Sequence, residues 1–219
     1  MSIEDDPPPP SKLSRAKEEW ARARRGLSGQ PPSPARPRLP PGQRETADFP
    51  VLDLGDQPNL SVKDWSLSVG GQVETPIRWD WQTFLAQPQT EIVSDIHCVT
   101  TWSRYDNLWA GVSARHLLAM ARPRPGVKFL LLRSFDGYTT NLSLEDFGDE
   151  DVLLAHSWQG KPLSREHGGP VRVVVPKLYF WKSAKWLRHI TFSDRDTPGY
   201  WELRGYHDRG DPWAEERYK

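Results

Sequence analysis

Cysteine is almost missing from this sequence: Cys98 stands alone among 219 residues. A lone thiol cannot close an internal disulfide, and free cysteine is among the most buried residue types, so taken by itself Cys98 reads as a small core hydrophobe. Net charge is missing too. The 29 basic and 29 acidic residues cancel, which leaves no global field to draw in nucleic acid or an anionic membrane. No window approaches the roughly 18 consecutive apolar residues of a membrane span. Neither GxGxxG nor GxxxxGK[ST] occurs, so a nucleotide phosphate loop has no support, and no CxxCH run offers haem attachment. The opening MSIEDDPPPPSKLSRAKEEW has no apolar leader core. The pair Arg24 and Arg25 is followed by GLSGQPPSPARP instead of a hydrophobic stretch. Together with a thiol suited to a reducing compartment, this predicts a cytoplasmic protein.

Proline, by contrast, is abundant and unevenly spread: 11 of 21 fall by Pro50. Residues 1–43 therefore read as a disordered Pro-rich arm, with SRAKEEWARARRG as a short helix and Trp20 as a docking anchor. Residues 44–219 read as one globular domain. Within it VKDWSLSVGGQV alternates as a strand does, and a short helix follows from Asp80. EIVSDIHC puts Ile92, Ser94, Ile96 and Cys98 on one strand face, with Cys98 at the strand end. Ser113 caps ARHLLAMA, where Ala114, Leu117, Leu118 and Ala121 recur at helical spacing until Pro123 stops the helix. VKFLLLRS, DVLLAHSW and VRVVVP read as further strands. Strands outnumber the short helices between them, which predicts an α+β domain with mixed or antiparallel sheets.

Two regions carry chemistry. Around the thiol, DIHCVTTWSRYDNLWAGV crowds in His97, hydroxyls, Arg104, Trp102 and Trp109. Further on, His167 precedes a Gly-Gly-Pro turn, Arg172 sits inside an apolar strand where a guanidinium calls for an anionic partner, and Lys182, Ser183, Lys185, Arg188 and His189 follow among aromatics. A solvated sheet face explains Arg172 alone, but not Arg172 with His167 and KSAK. The residue types also leave open a hydrolase or transferase with Cys98 as nucleophile and His167 or His97 as base, and a non-catalytic binding scaffold.

The block HGGPVRVVVP followed by KSAKWL resembles the molybdopterin domain of the sulfite oxidase superfamily. DIHCVTTWSR stands where that family has its molybdenum-ligating cysteine, and GYTTNLSLED and LLAHSWQGKPLS fall between in matching order. The resemblance runs from about Phe49 to the C-terminus. It implies the sulfite oxidase molybdopterin-domain fold and a molybdenum atom held by one molybdopterin and the Cys98 thiolate. It further implies that His167, Arg172, Ser183, Ala184 and Lys185 grip the pterin and its phosphate, and that Thr139 and Thr140 put a hydroxyl near the cofactor. Tyr206 matches the family's substrate-site tyrosine, and Arg104 is the candidate for substrate binding. Sulfite oxidases carry an arginine pair shortly after the cysteine; here Thr100, Thr101 and Trp102 intervene. The implied enzyme is a cytoplasmic, metal-binding oxidoreductase that moves an oxygen atom to or from a small sulfur-centred or similar substrate. Reduction of a sulfoxide or N-oxide is the alternative direction, and electrons are exchanged with an external donor or acceptor. With no room after Lys219 for the immunoglobulin-like dimerisation domain of the family's animal and plant enzymes, the chain reads as a bare molybdenum domain.

Overall fold

The computed structural model describes residues 38–219. The arm helix and Trp20 lie outside the described residues. The packed region begins earlier than residue 44, because Leu39 and Gln43 are already buried and the Gln43 amide is tied into the domain, as set out below.

Two mixed sheets form the domain. The six-stranded sheet runs β1 (Arg44–Glu45), β5 (Trp102–Ser113), β8 (Leu153–Trp158) and β10 (Arg172–Val174), with β4 (Gln89–His97) also paired to β5 and β9 (Lys161–Pro162) to β8. Only the β1–β5 pairing in it is parallel. The five-stranded sheet has the order β3 (Ile77–Asp80), β2 (Ser66–Gly71), β11 (Leu187–Ser193), β6 (Phe129–Ser134) and β7 (Thr139–Ser143), with β2 and β11 parallel. The α+β class read from the strand-rich sequence is the one observed.

The helices are short, and two of them are capped by the residues expected, Asp80 and Ser113. Asp80 accepts the Thr83 backbone N–H at 2.7 Å to start α1 (Trp81–Leu85). Ser113 accepts that of Arg115 at 3.2 Å to start α2 (Ala114–Ala121), which ends with Arg122 in the left-handed region just before Pro123. Ser143 caps α3 (Leu144–Phe147) in the same way. Each cap satisfies a backbone donor that the helix itself leaves open.

Long strands and large side chains fix the core. β5 has twelve residues and pairs on both sides, and Trp109 and Val112 on it are completely buried. Its Gly111 is required by close approach: a Cβ there would come within 2.0 Å of the Leu154 carbonyl oxygen, where the β5–β8 register shifts. The face pattern predicted for β4 is only partly kept. A register shift between Ser94 and Ile96 interrupts the alternation, and both Ile96 and His97 are buried at the end of the strand. Cys98 follows at the strand end, as its position in EIVSDIHC implied.

Candidate active site

β4 and β5 are joined by a four-residue turn whose first residue is Cys98. The Cys98 N–H donates to the Trp102 carbonyl at 2.8 Å and the Thr101 N–H to the Cys98 carbonyl at 3.0 Å, so the chain reverses tightly. Closing it puts Thr101 at φ 73°, a region that costs a β-branched residue roughly 1–2 kcal/mol. Cys98 is 6% exposed, and its Sγ lies 3.1 Å from the Thr100 hydroxyl.

The thiol opens into a cleft lined from both sheets. Of the residues singled out from sequence, Cys98, His167, Arg172, Ser183, Lys185 and Tyr206 all line it, although they come from segments up to a hundred residues apart. Trp102, singled out beside the thiol, lines it too, but sequence reasoning missed most of the remaining wall. Phe49 to Leu54 form one side, Ser134, Asp136 and Tyr138 come from the β6–β7 hairpin, and Trp181, Trp186 and Trp201 supply aromatic surface. The DGY turn after β6 holds a carboxylate beside a tyrosine at a strand end, which is the signal that points to this part of the wall.

The cationic end of the cleft is built on Arg172. Burial pulls its guanidinium down to about 9. Its Nη1 donates to the His167 carbonyl at 2.9 Å and its Nη2 to the Ser183 carbonyl at 2.7 Å, and the group lies 4.1 Å from the centre of the Phe180 ring. Among the described residues no carboxylate pairs with it. A buried guanidinium neutralised only by carbonyl dipoles remains a strong anion acceptor. Lys185 stands nearby, drawn down to about 8 by burial and by Arg172, against the pull of Asp53 and Asp136. Its Nζ donates to the Glu166 carbonyl at 2.8 Å and lies 3.6 Å from Asp53. Asp136 is pushed up to about 6 by burial.

His167 is positioned from both ring nitrogens. Nε2 lies 3.0 Å from the Phe49 carbonyl and so carries the proton, leaving Nδ1 to accept from the Ser164 hydroxyl at 2.9 Å. The ring stacks on Phe49 at 4.0 Å. Burial lowers its pKa, and the neutral form is the one these partners fit. Ser183 turns its hydroxyl to the Val175 N–H at 2.9 Å. Tyr206 stacks on Trp201 at 4.9 Å and meets Trp181 edge-on at 5.0 Å. Burial raises its hydroxyl far above the ordinary range, with Cys98 and Tyr218 adding to the shift.

Other expected residues stand apart from the cleft. Arg104 is turned away: its Nε donates to the Ala47 carbonyl at 3.1 Å, Nη1 bonds the Asn107 side chain, and the guanidinium lies over the Trp158 ring. Its backbone register on β5 aims it at that strand's neighbours, so it does not line the cleft. Neither Thr139 nor Thr140 lines the cleft. The Thr140 hydroxyl donates to Glu202 at 2.8 Å behind the wall, and the Thr139 carbonyl accepts from Tyr200. Ala184 is buried and contributes its carbonyl to Val173. His97 also stays outside, lying 2.8 Å from the Ser103 hydroxyl and edge-on to Trp213, with burial holding it down near 4. The basic loop read from KSAKWLRHI divides likewise. Lys182 is buried against Glu202, Arg188 lies over the Phe135 ring, and His189 bonds Ser68.

Two buried polar atoms belong to residues of the cleft wall. The indole N–H of Trp102 and the hydroxyl of Ser134 are both buried, and neither has a hydrogen-bond partner among the described residues. Leaving such groups unmade costs on the order of 1–3 kcal/mol each. A buried cysteine, a buried pair of cationic side chains and these unmet polar groups together suit a large, polar, anionic group with a thiophilic metal.

Comparison with known proteins agrees with that donor set. The model of the oxidoreductase molybdopterin binding domain matches residues 54–201. The chain is 47% identical over 182 residues to an uncharacterized oxidoreductase, YuiH, of Bacillus subtilis (strain 168), covering 83% of this chain and 92% of that one. It is 28% identical over 167 residues to the protein-methionine-sulfoxide reductase catalytic subunit MsrP of Campylobacter jejuni, covering 66% of this chain and 54% of that one. The fold is similar to that of the sulfane dehydrogenase SoxCD from Paracoccus pantotrophus, with a TM-score of 0.59 at 26% identity, covering 66% of this chain and 42% of that one. The chain thus spans nearly all of the first relative and about half of the other two.

Proposed function

Because the chain belongs to the oxidoreductase molybdopterin-binding domain family, we propose that its cleft holds molybdenum on a single molybdopterin and serves oxygen-atom transfer on a small sulfur-centred substrate. The observation that carries this reading is the convergence of Cys98, Arg172 and Lys185 on one cleft whose wall also contains unmet polar groups. In this reading Cys98 gives the metal a thiolate. Arg172 and Lys185 hold the pterin phosphate, and the stacked His167 and the Ser183 segment shape the pocket beside it. When bound, the cofactor supplies the two-electron oxygen-transfer chemistry.

The chain's own residues do the rest. Tyr206, kept protonated by burial, is positioned to donate a hydrogen bond to a substrate oxygen and so polarise it. Trp102, Trp201 and Tyr206 make the Cys98 end of the cleft aromatic and restrict water there. Arg104 lies outside, and among the described residues no arginine other than Arg172 lines the cleft. An aromatic site with its cations committed to the cofactor favours a neutral oxide over an anion such as sulfite, and so favours sulfoxide reduction. That direction consumes two electrons and two protons per sulfoxide and yields the sulfide and water. The electrons come from an external partner. Among the described residues no helix is long and apolar enough to cross a membrane, and no further cluster of histidine, cysteine and acidic residues could hold a second metal. A cytoplasmic setting, supported by the lone reduced thiol, belongs to the same reading.

The test is metal analysis and turnover of protein made in a molybdopterin-competent host. We expect about one molybdenum per chain and faster turnover of methyl sulfoxides than of sulfite with artificial electron donors and acceptors. Cys98→Ser is expected to retain pterin and lose turnover. A molybdenum-free protein, or full turnover in Cys98→Ser, overturns the reading.

A further inference from the structure

We infer that Arg217, near the C-terminus, is a positioning residue for the Cys98 turn, acting with Gln43 to hold the direction in which the thiol points. The inference rests on the metal-ligand reading of Cys98 and concerns a residue beyond the family-matched segment, which ends at 201.

The turn from Cys98 to Trp102 is strained, since Thr101 sits in the left-handed region. Such backbone persists only where its surroundings over-determine it. Its carbonyls are in fact taken one by one. The Gln43 side chain donates to the Cys98 carbonyl at 3.1 Å, Arg217 Nη1 donates to the Val99 carbonyl at 2.8 Å, and the Arg44 N–H donates to the Thr101 carbonyl at 2.9 Å. The same guanidinium reaches the Pro41 carbonyl through Nη2 at 3.3 Å and lies 5.0 Å from the centre of the Tyr179 ring. One side chain thereby ties the thiol-bearing turn to the segment that supplies Gln43.

The chemistry of Arg217 argues against a merely cohesive role. It is only 6% exposed, and among the described residues no carboxylate pairs with it. A guanidinium buried at that cost with carbonyl partners alone is a poor choice for simple packing, since apolar replacement of a buried charge is often neutral or better. Its planar fork does what an apolar group cannot: it fixes two carbonyls of different segments in one plane.

The experiment uses the molybdenum-loaded protein and compares Arg217→Met, Arg217→Lys and Gln43→Met with Cys98→Ser, by metal and pterin content, by the electron paramagnetic resonance spectrum of the half-reduced metal, and by kcat and KM. We expect Arg217→Met and Gln43→Met to load the cofactor yet give broadened or shifted spectra, with kcat down about tenfold and KM within about twofold. Arg217→Lys, which keeps a donor for Val99, should restore most of the signal. Wild-type spectra in both methionine variants overturn the inference, as does loss of cofactor together with unfolding in both, which would make the residues structural. If Arg217→Met alone fails to accumulate, the spectrum of Gln43→Met decides. A wild-type spectrum in Cys98→Ser would instead overturn the metal-ligand reading itself.

Discussion

Lys182 and Glu202 form an ion pair with no solvent contact on either side chain: Nζ lies 2.6 Å from Oε1. The ammonium also donates to the Asn141 side chain and to the Asn141 and Asp208 carbonyls, while the same carboxylate oxygen accepts from the Trp181 indole and the Thr140 hydroxyl. The pair therefore stands behind the cleft and holds Trp181, part of its wall. Burial lowers the Lys182 pKa against the upward pull of Glu202, so each charge depends on the other. Removing one partner of such a pair strands the remaining charge, which costs on the order of 3–5 kcal/mol. Glu202→Gln and Lys182→Met are each expected to lower stability by that much in denaturant unfolding. The double variant should lose clearly less than the sum. Additive losses would show that the two charges do not depend on one another.

Asp136 sets a pH dependence of stability. Its carboxyl, pushed up to about 6 by burial, holds its proton in the folded protein at pH values where the unfolded chain has released it. Folded protein binds the extra proton between about 4 and 6, so stability falls as pH rises through that window and is level above it. Asp136→Asn keeps the oxygen that accepts the Tyr138 N–H and removes the titration. Because the carboxyl keeps partial contact with solvent, the expected gain is about 1–2 kcal/mol above pH 7, vanishing near pH 4. Unfolding curves of both proteins at pH 4, 6 and 8 measure it, and a gap that does not grow with pH rules out the assignment.

How far the sequence could be read depends on how local each signal was. Asp80, Ser113 and Pro123 mark helix ends through contacts within three or four residues, and all three do so in the structure. The candidate site was legible where a family-like block stood in order, as with His167, Arg172 and Lys185. It was not legible for Lys182, because the partner that turns it inward, Glu202, belongs to a segment with no local link to it. Arg104 failed for a related reason. Its place close to Cys98 in sequence suggested closeness in space, but the reversal at Thr101 and the strand pairing send its side chain to Asn107 and Trp158. Phe49 to Leu54 carried no motif at all and line the cleft by tertiary packing alone.

Arg104 supplies a prediction of its own. With its guanidinium held by Asn107, the Ala47 carbonyl and the Trp158 face, Arg104→Ala should leave kcat and KM for a sulfoxide within about twofold. Partly exposed polar contacts of this kind contribute modestly, so a stability loss of about 1 kcal/mol is expected. Steady-state kinetics across substrate concentration check it. A KM raised tenfold or more with kcat unchanged would return Arg104 to the substrate site.

Gly168 controls the anion-binding end through its lack of a side chain. Its φ of +101° is a conformation that L side chains rarely adopt, and a Cβ there would lie 2.8 Å from the Lys185 Cβ and 2.9 Å from its Cγ. Gly168→Ala must therefore strain the backbone, push Lys185 aside, or both. The strain is expected to cost about 1–2 kcal/mol of stability. Displacing Lys185 should lower molybdopterin content further than that loss explains, because the ammonium leaves its place beside Arg172. Lys185→Ala separates the two effects: it should lower cofactor content to a similar degree with little change in stability, since a long, partly wet side chain is removed and no backbone is strained. Pterin released on denaturation, measured per folded chain, reads occupancy independently of turnover. Full occupancy in Lys185→Ala would remove the lysine from the phosphate grip and leave Arg172 to hold the anion alone.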